Sequence, residues 1–462
     1  MAESRSYRGD AADPFGACGR RRRPRLLLLA YACSPYHGSE KATGWNRAVQ
    51  SARFCDTWVI CEQHEFAPDI ERYCEQHGPI AGLHFCFVAK SRWQLALARV
   101  PGLYYLSYNL WHRRAYRVAR RLHARLAFDV VHQANRSGYR EPGYLWRLDA
   151  PFIWGPVGGT QAYPWRFLSE ASWRGAALEA LRNVLNALQL HLSPRVRRAA
   201  RRADAVLVAN STVRRDLEGA LGVDTITLVE TGLSGRPQRA PRAAEDGRPL
   251  RILWSGRIEP WKALSLLIKA LAGLPHDARY ELRILGQGTE RQRCERLARD
   301  LGIEPYCEWL GWVPREQAMQ QYDWADVFVF TSLRDTTGTV VCEALGAGLP
   351  IVCLDHQGVG DIVDASCGIK VGVTSPREVI AGLRGAIEEL ARRPDYCRAL
   401  GEGALRRARE YEWSYLTERT VQVYAAVLAR RDQAEGRQRL DRQPSRPARG
   451  TDGRLDQQLL KG

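Results

Sequence analysis

Two acidic residues, Asp335 and Glu343, stand eight apart, with Gly338 and Thr339 between them and an apolar stretch beginning at Val340. A glycine turn feeding a helix exposes backbone N–H groups at the positive end of the helix dipole, and a diphosphate fits such a place. On that spacing Glu343 falls about one turn into the helix, where its carboxylate can accept both hydroxyls of a ribose, while Asp335 stays on the loop. The same acids can also do no more than stabilise their own helix. A second stretch, Ser-Gly-Arg-Ile-Glu-Pro-Trp-Lys at 255–262, places Arg257 five residues before Lys262. Two fixed cations on a strand-to-helix loop clamp a diphosphate and stabilise charge arriving on a leaving group. In the first half of the chain, Gly38 and Ser39 stand in the stretch Cys-Ser-Pro-Tyr-His-Gly-Ser-Glu-Lys-Ala-Thr-Gly-Trp at 33–45. His132 closes the run Asp-Val-Val-His at 129–132, and Gly158 and Gly159 end the run Gly-Pro-Val-Gly-Gly at 155–159. A lone histidine at a strand end is either packed or reactive, and the glycine run is either an active-site loop or a plain turn.

Something must hold these groups, and the chain's rhythm says what. Short apolar runs alternate with amphipathic stretches. Strands are expected at 26–32, 57–61, 84–88, 130–132, 152–154 and 205–209, and again at 250–255, 281–286, 307–310, 327–331, 350–354 and 368–371. Alternation of this kind predicts parallel sheets covered by helices on both faces, an α/β fold of two doubly wound, Rossmann-like domains. In such sheets ligands bind beyond the carboxyl ends of the strands, where the motifs above fall. The segment 234–249 is rich in Pro, Gly and charge and reads as a linker. The expected organisation is a disordered segment over 1–24, an N-terminal domain over 25–233, a C-terminal domain over 250–410, a closing helix over 411–430 that packs back toward the N-terminal domain, and a disordered tail over 431–462.

Composition bounds the rest. With 462 residues, 45% of them hydrophobic, the chain can fill two cores. The longest apolar run, at 26–33, is far short of the ~18 residues a spanning helix needs, which predicts a cytoplasmic protein. Twelve cysteines occur without a C-x-x-C pair, and the histidines lack ligand spacing, so neither disulfides nor a bound metal is expected. The formal net charge is +17, and Lys90 to Arg202 alone holds 20 Lys and Arg against 5 Asp and Glu. That balance calls for an anionic partner.

Taken together the motifs resemble glycosyltransferase family four. The resemblance rests on the 255–262 loop, Leu-Gly-Gln-Gly at 285–288, Leu-Gly-Trp-Val-Pro at 310–314, Ala-Asp-Val-Phe-Val-Phe-Thr-Ser at 325–332 and Glu-Ala-Leu-Gly-Ala-Gly-Leu-Pro-Ile-Val at 343–352. It spans about 26–428 and is most specific in the second half. It implies a GT-B fold and a retaining, metal-independent hexosyltransferase that uses a nucleotide diphosphate sugar as substrate and needs no cofactor. By carry-over, Arg257 and Lys262 hold the donor diphosphate and Glu343 the ribose. Asp335 meets the transferred sugar, and the backbone of Gly338, Thr339, Val340 and Val341 binds phosphate and sugar hydroxyls. Gly38 and Ser39 belong to the loop closing over the donor; His132 joins Asp335, Arg257 and Lys262 as a catalytic residue, and Asn135, Gly158 and Gly159 lie on the acceptor side. Three positions depart from the family pattern: Asp335 replaces a glutamate, Ala263 a glycine after the clamp lysine, and Ala134 a second histidine. The nearest rival activities are a sucrose-type synthase and a nucleotide-sugar epimerase. A non-catalytic glycan- or nucleotide-sugar-binding member is the rival from another class.

The resemblance makes the acceptor a saccharide or lipid-linked saccharide, in cell-surface or exopolysaccharide synthesis. The basic half adds an anionic membrane surface as a partner, on the inner face of the plasma membrane. Its signal is the apolar run from Trp93 to Trp111 beside Arg113, Arg114, Arg117, Arg120, Arg121 and Arg125, with a second cationic run from Arg195 to Arg202. An ordinary solvated helix face is the alternative. Zinc-finger, RRM and helix-turn-helix signatures are all missing, so no nucleic-acid partner is expected.

Overall fold

The computed structural model describes residue 15 and residues 22–100, 103–135, 138–233, 235, 248–275 and 278–441. Most of the expected linker at 234–249 and of the N-terminal segment at 1–24, and all of the tail beyond 441, lie outside the described residues. Seven strands form the first sheet: β1 (Arg25–Ala30), β2 (Asp56–Glu62), β3 (Leu83–Val88), β4 (Val130–Asn135), β5 (Phe152–Val157), β6 (Ala205–Val208) and β7 (Thr225–Thr227). Their order is β3-β2-β1-β4-β5-β6-β7, with every pairing parallel. Six form the second: β8 (Leu250–Ser255), β9 (Tyr280–Leu285), β10 (Cys307–Gly311), β11 (Val327–Phe330), β12 (Ile351–Asp355) and β13 (Gly368–Gly372), in the order β10-β9-β8-β11-β12-β13, again all parallel. Of the thirteen, only three-residue β7 escapes the apolar-run reading: its Thr-Ile-Thr alternates exposure at the sheet edge instead of burying both faces.

Both sheets reverse strand order beside their first strand, between β1 and β4 and between β8 and β11. Crevices open at such switch points because the neighbouring crossovers run to opposite faces. The Gly38 loop follows β1, Asn135 ends β4, the Arg257–Lys262 loop follows β8, and the Asp335–Gly338 loop follows β11. The motifs therefore lie where this topology leaves room for a ligand.

The two cores are cross-stitched. Tyr163 and Phe167, from the segment after β5, are buried in the apolar core under β8, β9 and β11. In return the last helix, Trp413–Asp441, buries Trp413, Leu416, Tyr424 and Leu428 in the core of the first sheet. That helix also corrects the sequence reading, which ended it at 430 and made 431–441 part of a disordered tail. Its apolar stripe stops near Leu428, but the following Ala, Arg, Gln and Glu residues are strong helix formers and carry the helix on. No helix among the described residues is long and apolar enough to cross a membrane.

The Trp93–Trp111 run also divides. Tyr108 and Trp111 are core residues at 2% and 0% exposure, whereas Trp93, Tyr105 and Leu106 face outward. For Tyr105, Leu106, Tyr108 and Trp111 the cause is helical periodicity in Tyr104–Leu126, which sends alternate groups of an apolar run to opposite sides, whereas Trp93 lies on the preceding helix, Arg92–Arg99.

Candidate functional site

Backbone contact between two loops builds the C-terminal half of the site. Gly286 has φ +133°, and a Cβ there would stand 1.8 Å from the Gly256 carbonyl oxygen. Only glycine lets the loops after β8 and β9 approach this closely, so the Leu-Gly-Gln-Gly motif fixes the position of the Arg257 loop. Arg257 is exposed, its guanidinium 5.3 Å from the Trp261 ring centre. The β8 loop is tied to the β11 loop by Thr331 Oγ1 donating to the Lys262 carbonyl at 2.7 Å and by Leu333 N–H donating to the Trp261 carbonyl at 2.8 Å. Lys262 thus meets Asp335: its Nζ pairs with Oδ2 and lies 4.7 Å from the Phe330 ring centre. Ala263, where the resembled family has glycine, takes a left-handed φ of +44°.

Gly338 caps the helix Thr339–Gly346 at φ +80°, and no side chain caps that terminus. A side chain at Gly338 would press on the Phe330 ring at 3.0 Å. Of the four backbone groups expected to hold phosphate and sugar, Val341 is already committed, its N–H donating to the Gly338 carbonyl at 2.8 Å. This corrects the expected four-residue cradle: the tight turn consumes one donor. Glu343, half a helix further, accepts from Arg315 Nη1 and from the Tyr322 hydroxyl, both at 3.2 Å, and burial raises its pKa.

Glu343 and Thr339 share a cavity of about 420 Å³ with Ser34, Gly38, Asn46 and Trp413, so the wall of one domain faces that of the other across it. Gly38 caps the helix Ser39–Ser51 there, with extended φ −81° and ψ −174°; the Ser39 side chain is outside the described residues. A Cβ at Gly38 would lie 4.0 Å from Arg315 Nη1. Lys262 and Asp335 do not line this cavity; they connect to it through the 335–338 loop. Gly158 reaches that loop from the other domain, a Cβ there falling 2.5 Å from Thr336 Cγ2. Gly159 N–H donates to Gln161 Oε1 at 2.9 Å. Asn135 ends β4, and its side chain lies outside the described residues.

His132 does not join the site. It is 0% exposed, its Nε2 donates to the Gly155 carbonyl at 2.7 Å, and its Nδ1 accepts from the Tyr424 hydroxyl at 2.6 Å. Burial, with Arg47 nearby, lowers its pKa to about 3, so it is a neutral packing residue and the expected catalytic role is withdrawn.

Residues 236–407 match the family model described as glycosyl transferases group 1. This stretch, which falls on the second sheet, is similar to that family. Among relatives, the D-inositol 3-phosphate glycosyltransferase of Kineococcus radiotolerans is 29% identical over 264 residues, covering 51% of this chain and 60% of that protein. The sucrose-phosphate synthase of Thermosynechococcus elongatus has a similar structure at TM-score 0.63 and 16% identity, over 88% of this chain and 100% of that one. Anabaena Alr3699/HepE, solved with UDP and glucose, matches at TM-score 0.57 and 14% identity, over 87% and 100%. The fold is GT-B.

Three residues of this transferase fold that sequence reading passed over also hold the 335–338 loop. Gln357, at φ +55°, accepts from Asp335 N–H through Oε1 at 2.8 Å and donates through Nε2 to the Ala162 carbonyl at 3.0 Å. Asn210 Nδ2 donates to the Thr336 carbonyl at 2.6 Å. Thr337 donates its hydroxyl to Glu230, whose pKa is raised to about 7, chiefly by burial and also by Asp335, with Arg47 opposing. Ala162, Asn210 and Glu230 come from the chain's first half, so the 335–338 loop is clasped by the opposite domain. The contacts made with Ala162, Asn210 and Glu230 each join residues more than a hundred apart in sequence, and no local pattern carries that signal.

Proposed function

We propose that the chain is a retaining, metal-independent glycosyltransferase of the family-four type, moving a hexose from a nucleotide diphosphate sugar to a hydroxyl acceptor. The observation that carries this is the meeting of Lys262, Asp335 and the Gly338-capped helix terminus beside a cleft lined by Glu343. In this reading the ribose hydroxyls bind Glu343, displacing Arg315, and the diphosphate takes the charge of Lys262 and Arg257. The bond from the anomeric carbon to the diphosphate oxygen breaks, and the acceptor oxygen bonds to that carbon on the same face. The acceptor proton passes to the departing diphosphate. Lys262, Arg257 and the helix terminus stabilise the charge that arrives there, the part a divalent cation plays in other transferases. Asp335 positions the sugar and orients Lys262 before the donor arrives.

The acceptor in this reading is a lipid-linked saccharide on the cytoplasmic leaflet, used in cell-surface polysaccharide synthesis. The cationic N-terminal surface supports peripheral attachment to an anionic inner membrane face. The test is a panel of nucleotide sugars offered with and without saccharide acceptors in EDTA. Acceptor-dependent release of a nucleoside diphosphate, with the product keeping the donor's anomeric configuration, is the expected result. Loss of all turnover in EDTA, restored by Mg²⁺ or Mn²⁺, contradicts the metal-independent part. Release that ignores the acceptor contradicts transfer.

A further inference from the structure

A second cavity, of about 530 Å³, lies on the N-terminal domain away from the cleft. The helices Tyr104–Leu126 and Pro194–Arg202 and the short turn Leu145–Arg147 form it, and six arginines line it: Arg113, Arg117, Arg120, Arg147, Arg195 and Arg198. Tyr144 stands at its centre as a post. Arg113 Nε donates to its hydroxyl at 3.1 Å and Arg195 Nη1 at 3.3 Å, and the guanidiniums of Arg113, Arg147 and Arg195 lie 5.8, 5.4 and 5.6 Å from its ring centre. Asn109 accepts the Tyr144 hydroxyl proton at 3.1 Å and keeps the post upright. Among the described residues, Arg195 alone of the six has a carboxylate partner, Glu141. Arginines splayed into water relax their mutual repulsion; here Arg113, Arg147 and Arg195 gather on one ring while exposed Arg117, Arg120 and Arg198 line the same concavity, and clustered guanidiniums of this kind recognise phosphate.

Beside the cavity runs the helix Trp173–Leu192, one sequence position short of Ser193, the cap of the Pro194–Arg202 helix. Leu178, Leu181, Leu185, Leu188 and Leu192 fall at alternating three- and four-residue spacing and are 66%, 56%, 46%, 50% and 70% exposed. This is one continuous apolar ridge, far more than scattered surface leucines present. A second copy of the chain seated on the ridge would bring two six-arginine basins toward each other. Nucleic acid would satisfy the basin and leave the leucines in water. A surface both apolar and anionic satisfies both.

We propose that the arginine basin binds the phosphate of an anionic lipid headgroup while the leucine ridge enters the acyl boundary of the same bilayer. This deepens the membrane reading above and moves its apolar contact from the Trp93–Trp111 run to the 178–192 ridge. It rests on that reading for the surface, while binding is measured without any transfer reaction, so the two succeed or fail separately.

The experiment uses the full chain and vesicles of phosphatidylcholine with and without phosphatidylglycerol, with glycerol 3-phosphate as soluble probe. One variant removes three lining charges, Arg117→Gln, Arg120→Gln and Arg198→Gln. A control removes three exposed charges that do not line the cavity, Arg197→Gln, Arg201→Gln and Arg202→Gln. A third variant carries Leu181→Gln and Leu188→Gln. Folding is checked by circular dichroism, and all substituted side chains are solvent-facing. At about one tenfold step or less per charge, the lining triple is expected to weaken phosphatidylglycerol-vesicle binding at least about tenfold, the control no more than about threefold. The ridge variant is expected to lose vesicles while keeping its response to glycerol 3-phosphate. Equal losses in the lining and control triples mean diffuse charge and overturn the site. Full vesicle binding by the ridge variant overturns the bilayer as occupant, as does glycerol 3-phosphate or random DNA binding as tightly as vesicles.

Discussion

The two domains share a strand order and put it to opposite uses. In the C-terminal domain the candidate groups come from two short stretches, 255–263 and 331–343, each leaving a strand at the switch point and each carrying its own cations, acids or helix terminus. In the N-terminal domain the loops after β1 and β5 bring the glycines Gly38 and Gly158, while its charge lies on outer helices. The matched family model likewise spans 236–407 and not the first sheet. On the function proposed above, the difference follows from one half being built around a donor's invariant part, a diphosphate with a ribose. In the same reading the other half faces the acceptor, and it supplies much of the cavity's lining, including Ser34, Tyr36, Thr43, Trp45 and Asn46.

If that division is right, substitutions at the two walls should differ sharply in size. The largest effect falls on Lys262→Ala: turnover is expected to drop by about two orders of magnitude or more, the scale of losing a preorganised oxyanion donor, and to leave Asp335 without its partner. Steady-state rates check this, and near-normal turnover removes Lys262 from the donor site. Next is Glu343→Ala, expected to raise the donor KM on the order of tenfold and to narrow the gap between ribo- and 2′-deoxyribo-donors. An unchanged gap leaves Glu343 as a partner of Arg315 only.

A smaller effect tests the clasp between domains. The Glu230 carboxyl is raised from 4.5 to about 7, so the folded state holds a proton that the unfolded chain has lost between those values. Stability from this group is therefore present below about 4.5 and falls as pH rises to about 7. Glu230→Gln is expected to flatten that part of the melting-temperature profile. The opposite slope from His132, whose pKa is lowered to about 3, cancels in the difference between variant and parent. Identical profiles would place Glu230 in water. The smallest effect is Ala263→Gly: relieving an alanine at φ +44° should stabilise by about 1 kcal/mol, seen as a raised denaturation midpoint.

Why the fold and half the site were legible in sequence follows from the same division. Buried parallel strands read as continuous apolar runs, and a loop feeding a helix keeps its chemistry within a dozen residues, as at 331–343. His132 was misjudged because a strand end looks alike whether the next layer is solvent or, as here, Tyr424 from a helix nearly three hundred residues later. Arg315 gave no sign because its partner Glu343 lies on another helix, and the 178–192 ridge because an amphipathic helix does not announce what its apolar face will meet. Charge composition located the basic half correctly and left its arginines undivided between solvent and the Tyr144 basin.

The central claim is that Lys262 and Glu343 hold the two ends of a nucleoside diphosphate without a metal. Calorimetry with a panel of nucleoside diphosphates in EDTA tests it most directly, on the parent chain, Lys262→Ala and Glu343→Ala. One diphosphate should bind the parent saturably, and each variant should weaken it at least about tenfold, the loss of one charge-assisted contact. Loss of the β-phosphate should remove most of the Lys262 effect and spare that of Glu343. Equal affinity in all three proteins, or binding that appears only with added divalent cation, contradicts the account.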